Sequence, residues 1–246
     1  MSSGSSSSKA AARGPKRRPA LPAASGASPR PAVAAAEPPR PPAAPGVRLP
    51  REFYARPDVL AVARELLGKR LVVPGPGGQR VSGLVVETEA YAAPEDKASH
   101  AYGGRRTART ETMFMAGGAA YVYFVYGMHH QFNVVTGPAE LPHAVLVRAV
   151  EPEEGIELMR ERRPVRADRE LTSGPGKLCR ALGITRDLDG ADLTAGREVW
   201  LEDIGREVAP AEIASGPRVG IAYAEEYAAR PWRFWLAGNP YVSRPR

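Results

Sequence analysis

From residue 51 onward the hydrophobic positions fall into short periodic runs. Pro57-Asp58, followed by Leu60, Ala63 and Leu67 on one face and closed by Gly68, predicts a helix. Arg70–Val73 and Val81–Tyr91 read as a strand pair around the turn-rich Pro74-Gly75-Pro76-Gly77-Gly78. In the second strand Val85, Glu87, Glu89 and Tyr91 share one face by the two-residue period. A polar loop over 92–111 carries Gly103-Gly104 and the basic set Arg105, Arg106 and Arg109. Ala119–Tyr126 and Gln131–Thr136 read as strands joined at Gly127-Met128-His129-His130, and His143–Val150 is a strongly apolar strand. Pro152, among Glu151, Glu153 and Glu154, predicts the start of a helix running to about Arg162. Ser173-Gly174-Pro175-Gly176-Lys177 leads into a short helix ending at Leu182, and short strands are expected near Val199–Glu202, Arg218–Ala222 and Arg233–Ala237. Strands dominate and hairpins outnumber crossovers, so the pattern predicts an α+β single domain built on an antiparallel sheet.

Residues 1–50 have no such pattern. They contain 11 of the 25 prolines, runs of Ala and Ser, and no aromatic residue. So little apolar surface does not offset the entropy of ordering, and the segment is expected to be a disordered arm ahead of a domain over 51–246. The arm also carries eight Lys/Arg against the single acid Glu37, which accounts for the whole chain's formal charge of +7. The rest of the chain is formally neutral, so the high pI is no argument that the folded part binds a polyanion. A basic arm raises non-specific affinity for nucleic acid, and a solvated linker is the alternative.

One cysteine, Cys179, excludes an internal disulfide. The histidines His100, His129, His130 and His143 form no HExxH or similar spacing, so no metal site and no cofactor is expected. No stretch is apolar enough for a membrane span and no signal-peptide core opens the chain, which points to an intracellular location.

The chemistry-bearing residues concentrate in Val86-Glu87-Thr88-Glu89-Ala90-Tyr91, then Asp96 and His100, then Tyr121-Val122-Tyr123-Phe124-Val125-Tyr126. Carboxylates direct water or protons and tyrosines stack on flat rings, a combination that suits hydrolysis at an aromatic base. Two carboxylates on one strand face would push their pKa values apart. A polar strand face in solvent accounts for the pair equally well, although the valines upstream and Tyr91 downstream favour partial burial. Tyr121 and Tyr123 share parity while Tyr126 has the opposite one, so one ring can line a pocket while another projects from a hairpin tip. Ser173–Lys177 reads as a loop that cradles one phosphate or as a Gly/Pro turn with a surface lysine.

Taken in order, VVETEAY, DKASHAY, Arg109–Met115, AYVYFVYGMH, NVVT, AVLVRAVEPEEGIELM, LTSGPGKLCRALGI and RVGIA closely resemble the alkyladenine (3-methyladenine) DNA glycosylase family, over about Leu49 to Ser243. The resemblance implies a curved antiparallel sheet surrounded by helices, and excision of alkylated or deaminated purines from double-stranded DNA by N-glycosidic hydrolysis without a lyase step. It implies that Glu89 is the general base, that Tyr91, His100 and Tyr123 wall the base pocket, and that Asn133 crowds the exocyclic amine of normal guanine. Tyr126 would be the wedge that replaces the flipped nucleotide. Arg148, Gly176, Lys177, Val219 and Gly220 would approach the nucleotide or its phosphates, with Arg105 and Arg109 adding to a basic DNA face. A monomer acting on DNA inside the cell, with no membrane, is expected. The competing readings are a catalytically idle nucleic-acid-binding module, against which Glu89 stands, and a hydrolase of free nucleosides, against which Tyr126 and the outlying arginines stand.

Overall fold

The computed structural model describes residues 45–125 and 127–244, together with Met1 and Gly4. The chain divides into two units, 1–39 and 40–246, and every element below belongs to the second. Nine strands make one sheet: β1 (Val47–Arg48), β2 (Arg70–Pro74), β3 (Arg80–Ala92), β4 (Ala120–Val125), β5 (His129–Thr136), β6 (His143–Glu154), β7 (Trp200–Asp203), β8 (Ile213–Gly216) and β9 (Arg233–Leu236). Every pairing is antiparallel, in the order β1-β7-β2-β3-β6-β5-β4, with β9 beside β3 and β8 beside β9. Four helices complete the described part: α1 (Arg51–Tyr54), α2 (Val59–Glu65), α3 (Ile156–Arg162) and α4 (Pro175–Leu182). This is the α+β, antiparallel arrangement that the hydrophobic pattern predicts.

The long strand β3 is the axis of the fold. Its first half pairs with β2, residues 87–89 pair with β9, and β6 runs along its other edge. Elements cover both of its faces, so Val81 through Ala90 are all buried. That double burial explains why its sequence reads as a nearly continuous apolar run rather than a clean alternation. Asp58 caps α2 by accepting from the Ala61 N–H at 3.0 Å, and the helix packs on β3, where Thr88 Oγ1 donates to the Ala63 carbonyl at 2.8 Å in a buried hydrogen bond. The buried residues of α2 are Val59, Val62 and Ala63, with Leu67 just beyond it also buried and Leu60 partly buried against the core, so the expected Leu60-Ala63-Leu67 face turns inward together with Val59 and Val62. Proline at the first position and Gly183 in the left-handed region at the end bound α4, whose Leu178, Cys179, Ala181 and Leu182 pack toward β5 and β6.

Three boundaries differ from the sequence reading, and a fourth falls at the edge of the described residues. Residues Val47 and Arg48, placed in the arm, pair with Asp203 and Glu202, and a Cβ at Gly46 would stand 2.8 Å from the Asp203 carbonyl oxygen. Pro152 lies in β6, not in a helix: it sits opposite Gly83 next to a register shift, where a missing N–H is tolerated. The acids around it face cations instead of a helix end, with Glu153 bound by Arg70 at 2.7 Å and Glu154 by Arg80 at 2.9 Å. The segment 218–222 is a loop, and the strand expected there is Ile213–Gly216, stopped by Pro217. The strand expected to reach Tyr126 is described to Val125, and Tyr126 lies outside the described residues.

Gly83 marks the closest approach of β3 and β6: a Cβ there would lie 2.7 Å from the Glu151 carbonyl oxygen and 2.9 Å from Val150 Cγ2. Backbone cannot yield as a side chain does, so Gly83→Ala should lower unfolding stability by about 1–3 kcal/mol, the range for overpacking. Chemical denaturation measures this, and an unchanged midpoint would mean that the two strands separate freely at this point.

Candidate active site

Two compensating irregularities in the β3–β6 ladder build the site. Val85 faces Val150 and Glu89 faces Leu146 in one register, but between them Val86 is an extra residue on β3 and Arg148 an extra residue on β6. A bulge leaves its extra residue unpaired and re-aims the side chain. Here Arg148 is brought against both carboxylates: Nε donates to Glu87 Oε1 at 2.8 Å, and Nη1 lies 3.1 Å from Glu89 Oε1. Glu87 and Glu89 are fully buried and Arg148 is 6 % exposed. The solvated strand face is therefore not the environment of these acids.

The two acids have different surroundings. Glu87 also accepts from the Ser243 N–H at 2.7 Å and Ser243 Oγ at 2.8 Å, and Arg233 Nε lies 3.0 Å from it as an ion-pair contact. It is not among the residues lining the cavity that Glu89 reaches. That cavity has a volume of about 320 Å³, and its walls include Tyr91, His100, Tyr121, Tyr123 and Asn133. Glu89 accepts from the Val219 N–H at 2.7 Å and from Tyr91 Oη at 2.9 Å. Val219 and Tyr91 donate to the Glu89 carboxylate and Arg148 pairs with it, so it is held in place where it lines the cavity.

The walls are aromatic and fixed. Burial and the neighbouring Glu89 push the Tyr91 phenol well above its ordinary pKa, so it stays a donor. Behind Tyr91 the Arg218 guanidinium stacks at 4.7 Å from the ring centroid and at 5.1 Å from Trp232. Asp96 holds that guanidinium, accepting from Nη2 at 2.8 Å in a fully buried pair. Opposite, the His100 and Tyr123 rings meet edge-on with centroids 4.6 Å apart, and Tyr121 lies 5.2 Å from Tyr123. His100 Nδ1 is 2.9 Å from Tyr121 Oη, and burial, reinforced by the charge of Arg109, lowers the imidazole pKa to about 4. His100 is thus neutral at physiological pH. Asn133 Nδ2 donates to the Tyr121 carbonyl at 3.0 Å, which ties the floor of the cavity to its wall across the β4–β5 pair.

The outer residues are distributed as follows. Val219 and Gly220 line the cavity, and the Val219 N–H is already committed to Glu89. Pro175 also lines it, which brings the start of α4 to the cavity mouth. A Cβ at Gly176 would stand 3.0 Å from His129 Cγ, so a glycine is what lets the β4–β5 hairpin approach α4. Lys177 Nζ is 3.4 Å from Ser173 Oγ. Arg105 and Arg109 are exposed, whereas Arg106 is held by Glu111 and Glu140, both at 2.7 Å. Among the described residues no group of three or more His, Cys, Asp or Glu is arranged to hold a metal ion. A larger opening of about 1110 Å³ is lined by Leu60, Arg64, Lys69, Trp232 and Phe234, but neither Glu87, Glu89 nor Tyr91 reaches it.

The sequence reading passed over three contributors. Tyr121 shares the parity of Tyr123, a signal that pairs them on the same wall. The Asp96–Arg218 pair and the Ser243 contacts join residues far apart in the chain, with no local pattern to announce them.

The sequence matches the methylpurine-DNA glycosylase family over residues 52–240. A Bacillus cereus (strain G9842) protein that carries the provisional name 3-methyladenine DNA glycosylase is 48 % identical over 212 residues, covering 80 % of this chain and all of the relative. Its counterpart of the same provisional name from Bacillus cytotoxicus is 47 % identical over 207 residues, with the same coverage. With the ETEAY carboxylate at the floor of an aromatic-walled cavity and the match spanning nearly all of the folded unit, the chain belongs to the methylpurine-DNA glycosylase family.

Proposed function

We propose that this hydrolase flips a damaged purine from duplex DNA into the 320 Å³ cavity and cleaves its N-glycosidic bond with a water that Glu89 directs. The observation that carries the reading is that Glu89, held by the Val219 N–H, Tyr91 and Arg148, lines a cavity of aromatic walls. As the C1′–N bond breaks, the purine leaves with the electron pair and the sugar gains oxocarbenium character. The Glu89 carboxylate stabilises that charge and takes a proton from the water whose oxygen bonds C1′, then releases it to solvent. A cationic alkylpurine leaves as the neutral base, and a neutral purine leaves as an anion that takes up a proton from solvent. The products are a free purine and an abasic sugar. Lyase chemistry needs an amine nucleophile, and no lysine lines the cavity among the described residues, which supports a monofunctional reaction.

The cavity is at the small end of ligand pockets, about 300–1,000 Å³, which suits one extruded base. Tyr91, His100 and Tyr123 supply its stacking and edge contacts, and Asn133 on the floor is placed to crowd the 2-amino group of guanine. Arg148, balanced by Glu87 and Glu89, holds the base in place more than it neutralises a phosphate. Gly176 and Lys177 at the start of α4, with Arg105 on the other side, are the groups available to DNA phosphates, while Arg109 lies against Tyr123 and His100. Gly220 flanks the nucleotide and Tyr126 serves as the wedge. The cavity is lined by one chain, which supports a monomer acting on DNA inside the cell, with residues 1–44 as an accessory basic arm.

Glu89→Gln should slow single-turnover excision by about two to four orders of magnitude, the scale of losing a general base, while lesion binding persists. Near-normal excision would remove Glu89 from the mechanism. Asn133→Ala should begin to release undamaged guanine from duplex DNA, detectable as new abasic sites opposite cytosine. If guanine stays untouched, exclusion resides elsewhere. Removing residues 1–44, which stops short of β1, should leave single-turnover excision intact and flatten the salt dependence of DNA binding. An unchanged salt slope would contradict a DNA role for the arm.

A further inference from the structure

Each of the two principal aromatic walls already has a guanidinium against its ring, and the two charges are handled differently. Arg218, on Tyr91, is fully buried at its side chain and neutralised by Asp96. Arg109 stacks on Tyr123 at 5.2 Å from the ring centroid, and its Nη2 lies 3.5 Å from His100 Nε2. Arg109 is exposed, and among the described residues no carboxylate comes within ion-pairing distance of it. Acids are close by, since Arg106 three residues earlier holds both Glu111 and Glu140. Arg148, which lines the cavity, is balanced by Glu87 and Glu89. Arg109 does not itself line the cavity; it sets a positive charge, without a carboxylate partner among the described residues, against two of the residues that do, Tyr123 and His100. Its field reaches the wall: it depresses the His100 imidazole and opposes the rise of the Tyr121 and Tyr123 phenols.

We propose that Arg109 sets the charge selectivity of the cavity, disfavouring a cationic base relative to a neutral one of similar size. The inference rests on the glycosylase reading above and specifies its substrate class. Two effects act in the same direction. A cationic purine stacked against Tyr123 and His100 meets a like charge at short range, in a partly desolvated site where Coulomb energies exceed their value in water. The Tyr123 ring also already interacts with the Arg109 guanidinium, which draws its π density, so the ring offers less to a second cation. A neutral purine is affected by neither.

The test compares duplexes carrying 7-methylguanine, which bears a fixed positive charge, with duplexes carrying neutral hypoxanthine, and takes the ratio of their single-turnover excision rates. Arg109→Met should raise the cationic-to-neutral ratio about three- to tenfold over wild type, whereas Arg109→Lys, which keeps the charge, should hold it within about twofold. A general loss of DNA affinity or stability slows both substrates and cancels in the ratio. An unchanged ratio in Arg109→Met, or an equal rise in Arg109→Lys, overturns the inference while wild-type excision leaves the glycosylase reading standing. Wild-type protein that releases neither base overturns the glycosylase reading and this inference with it.

Discussion

Everything at this site depends on one guanidinium set between two fully buried carboxylates. Arg148, Glu87 and Glu89 are each at most 6 % exposed. Leaving one buried charge of such a set without its partner costs about 3–5 kcal/mol. The sheet meets the constraint with paired bulges, Val86 on β3 and Arg148 on β6, which swing the guanidinium between the acids and then restore the register. The C-terminal part of the chain completes the compensation, with the Val219 N–H on Glu89, and Ser243 together with Arg233 on Glu87. Residues 219–243 thus complete the hydrogen bonding of two acids that Arg148 and Tyr91 satisfy only in part.

The same geometry divides the labour between two chemically identical residues. Glu87 lies away from the cavity, surrounded by donors, and anchors Arg148. Glu89, two positions along, is held by Arg148, Val219 and Tyr91 and lines the cavity. The aromatic walls are held in the same way, from behind. Arg218, locked by Asp96, backs Tyr91, and the His100–Tyr121 hydrogen bond steadies the opposite wall. Preorganised stacking surfaces over a fixed carboxylate let the site receive an extruded ring without rearranging its own polar groups.

Much of this was legible in the sequence because its signals are local. The antiparallel sheet followed from period-two runs and turn residues, and β2, β3 and α4 were bounded closely by Pro74-Gly75, Tyr91 and Gly183. The cavity is another matter: Glu89, Tyr91, His100, Tyr123 and Asn133, which line it together, are tied to one pocket by the family resemblance and not by any local pattern. The misplacements have a common cause: a tertiary pairing outweighed a local preference. Pro152 with its acids looks like a helix start until Arg70 and Arg80 are known to face Glu153 and Glu154. Val47 looks like arm until β7 lies beside it. Strand alternation does place Glu87 and Glu89 on one face, but only the bulges decide that Arg148 separates them, and no one-dimensional pattern encodes a bulge.

The most direct measurement is a crystal structure with duplex DNA containing a cationic pyrrolidine abasic nucleotide, a stable mimic of the oxocarbenium sugar. The account predicts an ordered water within about 2.6–3.2 Å of Glu89, aligned on the carbon that mimics C1′. Arg148 should still bridge Glu87 and Glu89, and the Val219 and Tyr91 bonds to Glu89 should be intact. A water held elsewhere, or a Glu89 turned from Val219 and Arg148 to reach the sugar itself, would contradict it.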